Sequence, residues 1–366
     1  MQGTASGGNL APGQEVTLAP MMFKVGTITS SVDVAIRLDW VSNTNERDSW
    51  AYKVTAFPAT PLWQTEASTT STALFSVKAL SSNVAWASGG NSSATAPVVI
   101  RTTNGGSTWT TVTGNLTGQD LYCISAVDAN RAWVGTGSGR IYATTNGGIT
   151  WAQQVYPGMQ SPFIDGIWFF NDGTGYALGD PATTAAGTYV VLKSTDFGQT
   201  WAHTASEPSS VASEGGWNNS FWCTDVGHIW FGTNQTSKIL RSTNGGNSWL
   251  TGPSGAANSY AISFKDNSNG LVGHSTGAIR VSIDGGATWT AVSSPTTNPI
   301  QGLSFLSGTN SAWISAAAVP YRSTNNGTNW TAQTVYPISG TLNHNSFADT
   351  SNGWAVTSNG EVLHYR

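Results

Sequence analysis

The stretch Ser242-Thr243-Asn244-Gly245-Gly246-Asn247-Ser248-Trp249 decides the fold. Its plan is Ser or Thr, any residue, Asp or Asn, any residue, Gly, any residue, usually Ser or Thr, then Trp. The same phrase stands at Thr102–Trp109, Thr144–Trp151, Ser194–Trp201, Ser282–Trp289 and Ser323–Trp330. Successive closing tryptophans are 42, 50, 48, 40 and 41 residues apart. That period is the length of one four-stranded propeller blade.

Each phrase reads as a staple of a turn. The carboxylate or amide of Asn104, Asn146, Asp196, Asn244, Asp284 or Asn325 can accept backbone N–H groups of its own turn. Gly tolerates a positive φ, and Trp109, Trp151, Trp201, Trp249, Trp289 or Trp330 covers the turn with an apolar plate. The competing reading is a ligand pocket repeated six times. Short segments around each phrase alternate apolar and polar residues between Gly- and Asn-rich turns, which predicts antiparallel strands and no helix. In the fourth unit these are Asn219–Thr224, Gly227–Gly232 and Lys238–Ser242, with Trp249 opening the last. The second strands of other units fall at Val84–Ala87, Ala132–Gly135, Gly175–Leu178, Ala312–Ser315 and Gly353–Val356.

The ends set the number of blades. After Trp330 come three strands and no seventh phrase, while Pro61-Leu62-Trp63-Gln64 resembles the opening of a fourth strand. Trp63 lies 46 residues before Trp109, which fits the period. Pairing Trp63 beside Val362–Tyr365 would complete the last blade and close the ring. The prediction is an all-β, seven-bladed β-propeller with split-blade closure over residues 59–366. A flexible arm is expected at 1–13. A small antiparallel β-segment, part of an immunoglobulin-like sandwich, is expected at 14–58.

Only 9% of the 366 residues are charged, and the net charge is −4. That balance gives no electrostatic footprint for nucleic acid. No apolar run approaches the roughly 20 residues that span a bilayer, so direct membrane insertion is not expected. Cys123 and Cys223 are too few for a disulfide framework or a metal site, and no metal or other cofactor is expected. The polar start lacks the pattern of a signal peptide and reads as a mature or recombinant end.

Residues 1–58 hold nine charged residues and no phrase. Strands are expected near Glu15–Leu18, Met22–Ile28, Val32–Val41 and Trp50–Phe57, with a polar turn at Asn43–Asp48. The alternation Val32, Val34, Ile36, Leu38, Trp40 predicts one apolar face, which must be covered by the propeller or by another chain. Self-assembly or docking through 14–58, making a homo-oligomer, is the functional expectation.

The phrases resemble the Asp-box repeats of bacterial neuraminidases. Residues 61–366 resemble the photosystem II assembly/stability-factor-like propellers. Gly179-Asp180-Pro181, Lys193-Ser194-Thr195-Asp196, Ser213-Glu214-Gly215 and Ile229-Trp230-Phe231-Gly232-Thr233 carry that second resemblance. It implies a seven-bladed fold, export by a bacterium and no assigned activity. It also leaves room for an assembly factor of a membrane complex. Four of the six phrases have Asn where the family has Asp, so a charge-based role is not implied for them.

Catalytic signatures are sparse. Gly-x-Ser-x-Gly, His-Glu-x-x-His and a Walker loop are all missing. His203, His228, His274, His344 and His364 are scattered and read as surface or turn residues. Arg101, Arg241, Arg322 and Lys193 precede their phrases at equivalent positions, which makes them rim residues and not the arginine triad of a sialidase. The two longest expected loops, Gly179–Tyr189 and Ala202–Asn218, belong to blades 3 and 4. They carry Asp180, Glu207, Glu214 and Trp217, with Asp165 nearby.

Two carboxylates beside an aromatic platform are the kit of a glycoside hydrolase and equally of a glycan-binding surface. Trp63 and the six closing tryptophans are turn plates, while Trp86, Trp133, Trp230, Trp313 and Trp354 repeat in second strands as core. Trp168, Trp217 and Trp222 fit neither set and point to a binding surface. The leading expectation is a secreted or cell-surface, non-enzymatic binding or scaffold protein that meets a protein or glycan surface. Binding would use Trp168, Asp180, Glu214, Trp217 and Trp222. The runner-up is a polysaccharide hydrolase using carboxylates among Asp165, Asp180, Glu207 and Glu214.

Overall fold

The computed structural model describes residues 32–41, 47–56 and 63–366, apart from 94, 236, 237, 256, 334, 336 and 337. The chain divides into two compact units, Met1–Pro61 and Leu62–Arg366. Every regular element among the described residues is a strand.

The larger unit is a seven-bladed β-propeller. Each blade is a four-stranded antiparallel sheet, and in blades 1 to 6 chain order is sheet order. The first strands of blades 1 to 7 are Leu74–Ala79, Leu121–Ala126, Ile164–Phe169, Gly216–Cys223, Ser259–Phe264, Ile300–Phe305 and Leu342–Asp349. Each packs beside the next, and that of blade 7 packs beside that of blade 1, so the ring closes around these innermost strands. Blade 7 takes its fourth strand from the front of the unit. Trp63–Glu66 pairs with Val362–Tyr365 in the register Trp63↔Tyr365 to Glu66↔Val362. Glu66 then latches the seam: its carboxylate meets His364 Nδ1 at 2.8 Å and accepts the indole N–H of Trp109 in blade 1 at 3.0 Å.

The core repeats between blades. Trp133, Trp230 and Trp313, in the second strands of blades 2, 4 and 6, stack on Phe169, Phe264 and Phe347 of the following blade, with centroids 3.8–3.9 Å apart. Gly175, Gly270 and Gly353 make the space, because a Cβ on any of them would come within 2.3 Å of that phenyl ring. The six turns repeat as well. In blade 1 the Thr102 hydroxyl donates to Asn104 Oδ1 and accepts Gly106 N–H, while Asn104 Oδ1 accepts Thr108 N–H at 2.9 Å. The same bonds recur around Asn146, Asp196, Asn244, Asp284 and Asn325. Gly106 sits at φ +79°, in the region that glycine enters without strain.

One strand boundary in the propeller needs correction. The first strand of blade 4 starts at Gly216 and not at Asn219, because Gly216 pairs with Thr233 and the chain bulges before Phe221. The two long loops meet: Gly187–Thr188 and Ser209–Ser210 pair as a short ribbon joining blades 3 and 4. Polar, glycine-rich segments of two residues carry no alternation from which such a ribbon could be read.

Among the described residues of the smaller unit, Val32–Val41 and Arg47–Ala56 form a hairpin. Arg47 and Asp48, expected in the turn, belong to its second strand. The register pairs Val34 with Val54, Ile36 with Tyr52 and Leu38 with Trp50. The strands expected at Glu15–Leu18 and Met22–Ile28 lie outside the described residues, as does most of the 14–58 segment.

Candidate functional site

Because the first strands run around the axis in one sense, their starts share one face of the disc and their ends share the other. The start face carries aromatic side chains. Phe75 stacks on Tyr122 at 4.9 Å, and Tyr122 meets Phe163 at 4.6 Å, forming an arc over blades 1 to 3. Trp217 of blade 4 stacks on Tyr260 of blade 5 at 3.7 Å with planes 7° apart. Phe75, Tyr122 and Tyr260 occupy the second position of their strands, where the pairing slips by one residue and the side chain is turned out of the sheet.

Blade 4 is longer at this point. Its first strand has eight residues against six in blades 5 and 6, and the two extra residues fall between Gly216 and Phe221, whereas the eight-residue first strand of blade 7 is extended at its other end. The extra length places Asn219, at φ +62°, across the axis. Its Oδ1 accepts the Ser76 hydroxyl at 2.7 Å, and its Nδ2 donates to the carbonyls of Phe75 at 3.0 Å and Tyr122 at 3.4 Å. One side chain from blade 4 thereby ties blades 1 and 2. The sequence reading places Asn219 at a strand start and gives it no role; an alignment of the blades that exposes the inserted residues between Gly216 and Phe221 is the signal that singles it out.

The acidic residues of blades 3 and 4 hold this extra segment in place. Asp165 is buried and shares a hydrogen bond with Asp180. Burial, the adjacent Asp180 charge and that bond hold the Asp165 carboxyl well above the usual carboxylate range. Both shifts are upward, so the pair shares a proton, and the stronger burial of Asp165 favours its carboxyl as the donor. Burial also raises Asp180, opposed by the Gly216 N–H that its Oδ1 accepts at 2.7 Å.

Glu214, buried one residue before Gly215, accepts Val211 N–H at 2.8 Å and lies 2.8 Å from Lys238 Nζ. The phenol of Tyr189 faces it and is pushed up by burial and by the Glu214 charge. Glu207 stands apart from this cluster. It accepts Val191 N–H at 2.9 Å and holds His203 Nδ1 at 2.7 Å. Burial pulls His203 down, but the Glu207 and Pro157 hydrogen bonds outweigh it and leave its pKa raised.

So the structure brings Asp165, Asp180 and Glu214 together and leaves Glu207 elsewhere. Two carboxyls in direct hydrogen-bond contact leave no room between them for a sugar, whereas retaining glycosidases separate theirs by roughly 5 Å and inverting ones by more.

The three unassigned tryptophans do not share a surface. Trp217 is on the start face, while Trp168 and Trp222 sit near the other end of their strands, 4.7 Å apart. There they line a cavity of about 760 Å³ on the axis, together with Lys78. The expectation that the histidines are surface or turn residues also fails for three of them. His344 stands in the first strand of blade 7, where it lines the axial cavity and its Nδ1 accepts Val77 N–H. His274 and His364 are buried in blade strands and hydrogen-bonded to Ala257 O and Glu66. Cys123 and Cys223 are buried free thiols. Among the described residues no cluster of three or more His, Cys, Asp or Glu is placed to hold a metal ion.

No protein-family model matches the chain, and no curated protein matches it. Solved structures do. YCF48 bound to a D1 peptide superposes with a TM-score of 0.66 at 16% identity, covering 83% of this chain and 96% of that one. A streptogramin B lyase gives 0.63 at 13% identity, covering 84% and 98%. A GH74 xyloglucanase from Xanthomonas campestris gives 0.59 at 14% identity, covering 83% of this chain and 53% of that one. A peptide-bound protein, a lyase and a glycosidase share this scaffold, so the likeness is one of fold.

Proposed function

We propose that the propeller is a secreted or cell-surface, non-enzymatic recognition disc that holds a protein segment across its strand-start face. The observation that carries this reading is the pair of aromatic stacks, Phe75–Tyr122–Phe163 and Trp217–Tyr260, standing on either side of Asn219. Aromatic anchors on a rigid frame are the usual centres of binding energy in protein interfaces. Each ring gives a face to a neighbour, which leaves less open ring for a sugar and favours a protein ligand. The peptide held by YCF48 on a like scaffold supports the same choice. A hydrolytic reading would need a free pair of carboxylates, and Asp165, Asp180, Glu207 and Glu214 are each engaged within the fold.

The test is a peptide array and a glycan array probed with the purified chain, followed by titration of the best ligand. Trp217→Ala and Tyr122→Ala should each weaken a peptide about tenfold or more, as loss of a central aromatic anchor does. Unchanged affinity in both variants, or binding to glycans with none to peptides, would overturn the proposal.

Self-association through residues 14–58 belongs to the same reading. Among the described residues the hairpin strands pair only with each other, and a two-stranded ribbon keeps two open edges. Electron microscopy of the full chain beside a version lacking residues 1–58 decides it. Ordered assemblies should form in the full chain only, and single discs in both would refute self-association.

A further inference from the structure

The axial cavity is lined by Lys78, Trp168, Trp222, Thr224 and Asn219, and by none of the five aromatic residues of the start face. It also reaches the turn Lys265–Asn269 of blade 5, so it belongs to the face where the first strands end. Its aromatic lining is therefore distinct from that of the surface proposed above, and the two meet only at the Ser76–Asn219 bridge across the axis.

Its charges are unequal in their partners. Lys265 Nζ is engaged by Thr309 O, Asn310 Oδ1 and Asn326 Oδ1. The lining carboxylate, Asp266, accepts the N–H groups of Ser268 and Asn269 in its own turn. Lys78 is different. Its Nζ lies 4.0 Å from the Trp168 ring centroid, and among the described residues it makes no ion pair or hydrogen bond.

The titratable neighbours of Lys78 carry no compensating charge. Burial holds the Cys223 thiol well above its ordinary value, so it stays protonated. Burial drives His344 down to about 4, and its Nδ1 accepts Val77 N–H, so it stays neutral. Burial lowers Lys78 itself only to about 8, which leaves it mostly cationic at neutral pH. An ammonium kept in a partly dry, aromatic-lined cavity without a counter-charge is costly to the fold, and an anion arriving there would remove that cost. A volume near 760 Å³ suits a small organic molecule.

We propose that this cavity binds a small organic carboxylate with a planar apolar body, the carboxylate on Lys78 Nζ and the body against Trp168 and Trp222. The ammonium supplies a charge-assisted hydrogen bond, and the two indoles, 4.7 Å apart and inclined by 57°, supply a corner for a flat ring.

The test is calorimetric titration of the full chain with three carboxylates: benzoate, phenylacetate and indole-3-acetate. Each is run beside its neutral amide. At least one acid should bind saturably and about tenfold or more tighter than its amide, the loss expected when one charged hydrogen bond goes. Lys78→Met should abolish that preference, and Lys78→Arg should keep it. The arginine variant also controls for misfolding, since both variants replace the same side chain. Equal binding of acid and amide, an unaltered preference in Lys78→Met, or no saturable binding by any of the three acids would each overturn the proposal.

Discussion

Blades 4 and 6 are built to one plan and differ in one strand. Both have a second-strand tryptophan stacked on the phenylalanine of the next blade, Trp230 on Phe264 and Trp313 on Phe347, at 3.9 Å in each case. Both close their third and fourth strands with the same hydrogen-bonded turn, around Asn244 and Asn325. The first strand of blade 6 runs six residues, and that of blade 4 runs eight. The surplus puts Trp217 on the start face and carries Asn219 over the axis. The lesson is a division of labour. Turns and stacked tryptophans build the ring, and a two-residue departure in one inner strand gives its axis an asymmetric centre.

The shared part should fail equally in both blades, and it carries the largest expected effect. Trp230→Ala and Trp313→Ala each empty a fully buried site and should each cost about 4 kcal/mol in chemical denaturation. A loss in blade 4 of less than half that in blade 6 would break the equivalence of the two frames.

The unshared part is broken at Asn219. Asn219→Ala removes three hydrogen bonds and leaves a Cβ at φ +62°, and should cost about 2–3 kcal/mol. Asn219→Gly loses the same bonds but relieves the backbone, so it should be about 1 kcal/mol less harmful. The ranking Asn, then Gly, then Ala identifies a bonded bridge in a left-handed conformation. An alanine variant as stable as the parent would remove the bridge from the account.

That contrast also explains what could be read in advance. Blade number and ring closure followed from eight-residue phrases and from Trp63, because turn chemistry is local and a 40- to 50-residue period is set by covalent spacing. Asn219 was out of reach, since its partners Ser76 and Tyr122 lie 143 and 97 residues away and a lone Asn carries no periodic signal. The local excess of Trp168, Trp217 and Trp222 was a true signal of irregularity that mixed two faces. Position along a strand, which decides the face, depends on where blade 4 begins to pair. Lys78 went unremarked because an isolated lysine in a strand usually reaches solvent.

The acid pair beneath the blade 4 segment gives the comparison a pH axis. Asp165 keeps its proton in the folded protein at pH values where the unfolded chain has released it. Folded protein then binds more protons than unfolded, so stability falls as pH rises above about 4, at up to about 1.4 kcal/mol per unit. Asp165→Asn places an N–H where the acid O–H donated to Asp180 and should flatten that slope. The check is urea denaturation of parent and variant between pH 4 and 8. An identical slope in both would mean that Asp165 does not hold the proton.

The smallest effect belongs to the turns, where the blades should differ least. Asp284 in blade 5 accepts both the N–H and the hydroxyl of Thr288, at 2.9 and 2.6 Å; Asn244 in blade 4 accepts Ser248 N–H and donates its own N–H to the hydroxyl, at 2.9 and 2.8 Å. The bond count is the same, and only the charge distinguishes them. Burial pushes Asp284 up, but its hydrogen bonds to Thr288, Ser282 and the turn backbone together outweigh that and lower it to about 2. A lowered carboxyl contributes stability above its unfolded pKa, and that contribution is lost as pH falls through the folded value. Because the side chain is exposed, solvent screening reduces the effect, and Asp284→Asn should cost only about 0.5 kcal/mol at pH 7. The difference between parent and variant should shrink towards zero near pH 2. A loss of 2 kcal/mol or more would mean that the carboxylate does something in blade 5 that the amide of blade 4 cannot, and the six turns would no longer be interchangeable staples.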